Sequence, residues 1–106
     1  MRLILENKEV ARAIYVDDDY DSEKLQQYAE IATSFIKTKT GYDFAKEDEI
    51  EPLAKQCAIL YVRQLHFGAE GYNKDHDYSF GITSLLIDLQ SIAKERMKVW
   101  VFINIQ

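Results

Sequence analysis

The stretch EPLAKQCAILYVRQLHFG, Glu51 to Gly68, decides the fold. Pro52 sits at a first-turn position, where a missing N–H costs nothing and a fixed φ suits a helix, and Gly68 supplies a stop. Between them Leu53, Cys57, Leu60, Tyr61 and Leu65 recur at three- and four-residue spacing, with Ala54 and Ala58 alongside. Lys55, Gln56, Arg63 and Gln64 lie off that stripe, whereas Ile59 and Val62 widen it. A helix apolar over more than half its circumference needs covering from two sides, which makes this the central helix of an all-α body.

Working outward, Ser22 to Thr40 predicts a second long helix, with Leu25, Tyr28, Ala29, Ala32, Phe35 and Ile36 as its stripe and Gly41 at the residue after its end. The acidic connector Asp17, Asp18, Asp19 and Asp21 complements the positive end of that helix. Asn7 to Tyr15 predicts a short first helix capped by Asn7, and Arg2 to Leu5 leads in as strand or coil. Tyr42 to Ile50 has no sustained period and reads as a loop with Phe44 tucked under the body. Ala69 to Ser79 is rich in turn formers and charge, an exposed flexible loop carrying Tyr72, Lys74, Asp75, His76 and Asp77. Phe80 to Lys98 predicts the last helix, on the stripe Ile82, Leu85, Leu86, Leu89, Ile92 and Ala93, with Ile87 off that stripe and exposed. The chain closes on VWVFINI, Val99 to Ile105, uncharged and rich in β-branched and aromatic residues, which reads as a strand-like tail. The expected architecture is a bundle of about four helices over residues 1–98, followed by a tail over 99–106.

Composition bounds the function. At 106 residues, 47% hydrophobic and 29% charged, the chain is one soluble globular domain able to bury a core. No apolar run approaches the roughly 20 residues that span a bilayer, and no secretory leader is visible, so a cytoplasmic protein is expected. The net charge of −5 argues against gripping nucleic acid through its phosphates. The aspartates at 17, 19 and 21 have the alternation of a calcium loop, but Ser22 stands where its glycine belongs and Tyr28 where its glutamate belongs, so helix capping is the better reading. Neither His66 nor His76 has a second ligand at helical spacing; His66 reads as a helix-surface residue and His76 as a solvated loop residue. Cys57 reads as a small core hydrophobe, and no glycine-rich phosphate loop exists. No catalytic site, metal or cofactor is expected. Trp100, Phe102 and Ile87 are apolar residues left over once the stripes close a core, and such residues build interfaces.

Two stretches resemble a known family. DDDYDSEKLQQYAEIATSFIKTKTGYDF, Asp17 to Phe44, and the central helix followed by a polar loop and FGITSLL, Phe80 to Leu86, resemble the small head–tail connector (adaptor) proteins of tailed bacteriophages and prophages. The likeness runs from about Leu5 to Met97 and rests on a helix ending in Thr-Gly-aromatic-x-Phe, an apolar helix and a Phe-Gly-apolar opening. The chain departs from the pattern in keeping only Pro52 before the central helix and in extending past the last helix. The resemblance implies a ring-forming structural subunit under the portal that extends the DNA channel and docks neck or tail-completion proteins. Such a subunit is found in the host cytoplasm during assembly and then in the virion neck. It also implies a structural role for Gly41, Phe44, Phe80 and Gly81, and a subunit or portal contact at Ile87, Val99, Trp100, Val101, Phe102 and Ile103. The alternatives are a small helical interaction module of the host and, further off, a small enzyme.

Overall fold

Four helices make up the fold: α1 (Asn7–Ala13), α2 (Ser22–Thr40), α3 (Pro52–Gly68) and α4 (Ser79–Ile105), with one 3₁₀ turn at Phe44–Lys46. The computed structural model describes residues 2–68 and 78–105, with side chains through Lys98. Among them there is no strand, and the architecture is all-α. α2 and α3 each pack against all the other helices, so the apolar breadth of α3 has the several-sided cover it requires. Ala54, Cys57, Ala58 and Val62 of α3 are fully buried, against Leu25, Ala29, Ala32 and Ile36 of α2 and Leu89 and Ala93 of α4. The small residues let the axes approach. Where they stop, Phe35 and Tyr61 stack at 3.9 Å between ring centroids, 8° from parallel, and join α2 to α3.

The N-terminal lead-in is held by a polar contact inside the core. Thr33 is the buried polar residue of α2; its hydroxyl donates to the Ala29 carbonyl at 2.8 Å and accepts the Ile4 N–H at 3.0 Å. Every partner is satisfied, so burying the hydroxyl costs little and fixes where Ile4 and Leu5 enter the core.

Helix ends depart from expectation at α1. Glu6, not Asn7, is the N-cap, and its N–H donates to the Glu9 carboxylate at 3.0 Å. The helix stops at Ala13 because Tyr15 adopts φ 60°. The Tyr15 N–H bonds the Arg12 carbonyl and the Val16 N–H bonds the Ala11 carbonyl, the two reverse bonds of a Schellman close with tyrosine where glycine is usual. Arg63 steadies that turn: its Nε donates to the Ala13 carbonyl at 2.9 Å and its guanidinium lies 5.4 Å from the Tyr15 ring centre.

α2 closes on Gly41 at φ 74°, with its N–H on the Lys37 carbonyl at 2.8 Å. A Cβ there would meet nothing within 4 Å, so Gly41→Ala tests backbone strain alone. The expected loss is about 1–2 kcal/mol, read as a lower urea midpoint with unchanged slope.

The tail is the largest correction. Residues 99–105, expected as a strand, continue α4 as helix. A strand needs an edge to pair with, and the described residues offer none, whereas extending an existing helix needs no new nucleus. The modest helix penalty of Val and Ile is insufficient to reverse that.

Candidate interaction surface

The exit from α2, Thr40-Gly41-Tyr42-Asp43-Phe44, turns the chain and plugs the bundle. The Thr40 hydroxyl donates to the Ile36 carbonyl at 2.7 Å, and Asp43 Oδ1 accepts the Ala45 N–H at 3.2 Å. Phe44 is then inserted edge-on to the Tyr42 ring at 4.8 Å, almost wholly buried, as expected of a residue tucked under the body.

Beyond that plug lies a polar hub that sequence reasoning missed. Glu47 Oε2 accepts the Tyr42 hydroxyl at 2.8 Å and Arg96 Nε at 3.0 Å, while Arg96 Nη2 reaches Glu51 Oε2 at 3.1 Å. Arg2 donates to the main-chain carbonyls of Lys46 and Glu47 at 2.9 and 3.2 Å. The hub thus draws together the N-terminal lead-in, the α2 exit, the start of α3 and the far part of α4. Burial first, and the hydrogen bond to Glu47 second, push the Tyr42 hydroxyl up to about 12. Glu47 Oε1 is buried without a hydrogen-bond partner, so the carboxylate depends on Arg96 for charge compensation. Arg96→Ala is expected to cost about 1–2 kcal/mol, less than for a fully buried pair because the guanidinium is partly hydrated. Arg96→Lys, able to reach one carboxylate at a time, should recover about half of that in urea unfolding.

α4 carries the surplus apolar surface. Gly81 faces α3 so closely that a Cβ would lie 3.0 Å from Leu60 Cδ1. Its neighbour Phe80 is 86% exposed, and Ile87 is 62% exposed as expected. The two are seven residues apart, on one side of the helix two turns from each other, with exposed Ser84 between them. Farther along, residues 94–98 are all exposed, and Arg96 ties this part of α4 to Glu47 and Glu51. The side chains of Val99, Trp100, Val101, Phe102 and Ile103 lie outside the described residues.

Asp21 and His66 make contacts within the subunit. Asp21 caps α2, its Oδ1 accepting the Lys24 N–H at 3.2 Å, as expected of the acidic connector. His66 is half-buried rather than a surface residue: its Nδ1 is 3.0 Å from the Tyr28 hydroxyl, and the rings meet edge to face. Tyr72, Lys74, Asp75, His76 and Asp77 lie outside the described residues. No group of three or more His, Cys, Asp or Glu suited to a metal occurs among the described residues. Cys57 is fully buried, which pushes its thiol from 9.0 up to about 11. The folded chain holds a proton that the unfolded chain releases above pH 9.0, so this stabilisation is present below that value and is lost as pH rises toward about 11. Iodoacetamide at neutral pH should therefore leave the native chain unmodified and add one adduct in urea, read by mass.

No known protein family, curated protein or solved structure matches the chain. Among the described residues, no helix is long and apolar enough to cross a membrane.

Proposed function

We propose that this chain is a non-catalytic virion subunit, a head–tail connector that forms a ring beneath the portal, extends the DNA channel and docks a neck or tail-completion protein. The observation that carries the reading is apolar surface left over after the core is closed: Phe80 and Ile87 stand in water on one side of α4, and the same helix continues into a segment uncharged in sequence. The resemblance of the Thr40–Phe44 exit and the Phe80-Gly81 opening to connector proteins names the partners, and the all-α fold accommodates it. Gly41 and Phe44 stop and plug, Gly81 lets α4 seat on α3, and Phe80, 86% exposed, fills no part of the described core. A ring requires two different patches per subunit, so exposed residues on more than one face are what such an assembly uses. An acidic subunit lining a channel repels duplex DNA weakly and lets it slide, where a basic lining would hold it. Assembly then takes place in the host cytoplasm, and the finished subunit resides in the virion neck.

The direct test is to mix the purified chain with the portal protein encoded in the same genome and sediment the mixture. A complex of portal mass plus a ring of this chain supports the reading. A chain that never migrates with any portal form, in solution or in filled capsids, overturns it.

A further inference from the structure

At the far end of α2, Lys37, Gly41, Tyr42, Asp43, Lys46 and Met97 line an open groove of about 450 Å³. Its rim is basic. Lys37 and Lys46 are exposed and make no ion pair among the described residues, and the Lys46 ammonium sits 4.9 Å from the Tyr42 ring centre. Asp43 is the carboxylate in the lining, its Oδ1 accepting the Ala45 N–H, and Glu47 beneath the Tyr42 hydroxyl is paired with Arg96, so the two lysines outnumber the lining carboxylate. At the opposite end, the Tyr20 N–H donates to the Asp17 carbonyl at 3.0 Å, which closes a turn with Asp18 and Asp19 at its tip. Asp17, Asp18 and Asp19 are exposed and likewise without an ion pair among the described residues.

The α2 dipole accounts for Asp21 and Glu23 at its start and Lys37 at its end, but it fades within one turn. Asp18 and Asp19 precede Ser22, and Lys46 follows Thr40 by six positions, so the helix dipole does not account for them, and Lys46 leans on the Tyr42 ring with its ammonium still exposed. α2 holds the acidic turn and the basic groove about 28 Å apart, at 1.5 Å per residue. One chain cannot bring them together, whereas two chains in sequence can.

We propose that copies of this chain join head to tail, the Asp17–Tyr20 turn of one seated in the Lys37/Lys46 groove of the next. Opposite charges meet across the contact, and the Tyr42 ring and Met97 supply its apolar floor. Because the two patches differ, each copy keeps one unused patch until the series closes, which is the geometry of a ring or, if the rotation does not close, a filament. The proposal deepens the connector reading by naming the patches that join subunits, and it rests on that reading only for the ring in which the contact is used.

The test is a charge swap in the full chain, with mass in solution as the readout. All four positions are exposed, so K37E/K46E and D18K/D19K should fold as the wild type does, checked by circular dichroism. The wild type is expected to self-associate at about 20 mM salt and to dissociate at about 500 mM, where exposed charges are screened. Each double variant alone should associate at least tenfold more weakly, because like charges then face each other across the contact. Mixing the two variants should restore association in alternating order, since each reversed patch finds its complement on the other protein. A wild type that stays monomeric at high concentration and low salt overturns the proposal, as does a reversal without effect or a mixture that fails to restore assembly. Loss of portal capture in K37E/K46E with self-association intact also overturns it and gives the groove to the portal. Portal capture that survives while self-association is absent removes this contact and leaves the connector reading standing; charge-swap rescue without any portal capture does the reverse.

Discussion

Replacing Phe80 and Ile87 together by aspartate is expected to abolish capture by the portal ring while leaving the subunit folded. Neither side chain fills the core, since they are 86% and 62% exposed, so their loss opens no cavity, and the change in stability should stay within about 0.5 kcal/mol. At an interface the same residues would be anchors, and the few hot-spot side chains at the centre of a contact cost about 2 kcal/mol or more each when truncated. Two of them together should weaken binding by at least about a hundredfold, before the cost of burying two carboxylates. Portal sedimentation and urea unfolding on the same protein decide it, and undiminished capture would show that this side of α4 takes no part in the contact. The contact is apolar, so its strength should hardly change with salt, in contrast to the lysine-rimmed groove at the end of α2.

Phe44→Ala carries the largest expected loss of stability. The ring is 1% exposed and packs edge-on against Tyr42, at the point where the chain turns from α2 toward α3. Removing a buried phenylalanine costs about 3–5 kcal/mol, from lost transfer energy and from the cavity left behind. That is a large share of the roughly 5–15 kcal/mol that holds a domain of this size together. The variant should unfold at a much lower urea concentration, and Phe44→Leu, which refills part of the space, should recover much of the difference. An effect below about 1 kcal/mol would mean that the body collapses onto the gap and that the exit from α2 is no plug.

The long helices were legible because each carries its own stop signals and a wide apolar stripe. α2 ends where Gly41 says it must, and α3 begins at Pro52, as read from residue types alone. Ile87 was legible because it falls off the stripe of α4, and that side chain stands in water. Composition misled at 99–105, where β-branched residues propose a strand but an adjoining helix decides the backbone. The end of α1 was hidden by a tyrosine doing what glycine normally does. The Glu47 hub could not be read at all, because its partners are 49 residues apart and no local pattern links Arg96 to a glutamate in an irregular segment. Phe80 belongs in sequence to a Phe-Gly-apolar motif, and only its 86% exposure, beside Gly81 seated against Leu60, reveals that its ring stands in water.

The distance along the chain between Glu47 and Arg96 also governs when the molecule can be finished. A nascent chain leaves the ribosome N-terminus first, so α1, α2 and α3 can meet while Arg96 is still unmade, with two acidic groups at the foot of α3 awaiting their cation. Closing the hub is therefore among the last steps of maturation, and it is the step that aims the far end of α4. A subunit clipped ahead of residue 96 would keep Phe80 and Ile87 but leave the carboxylates of Glu47 and Glu51 without their cation, so an incomplete copy differs from a finished one in the charge at the foot of α3.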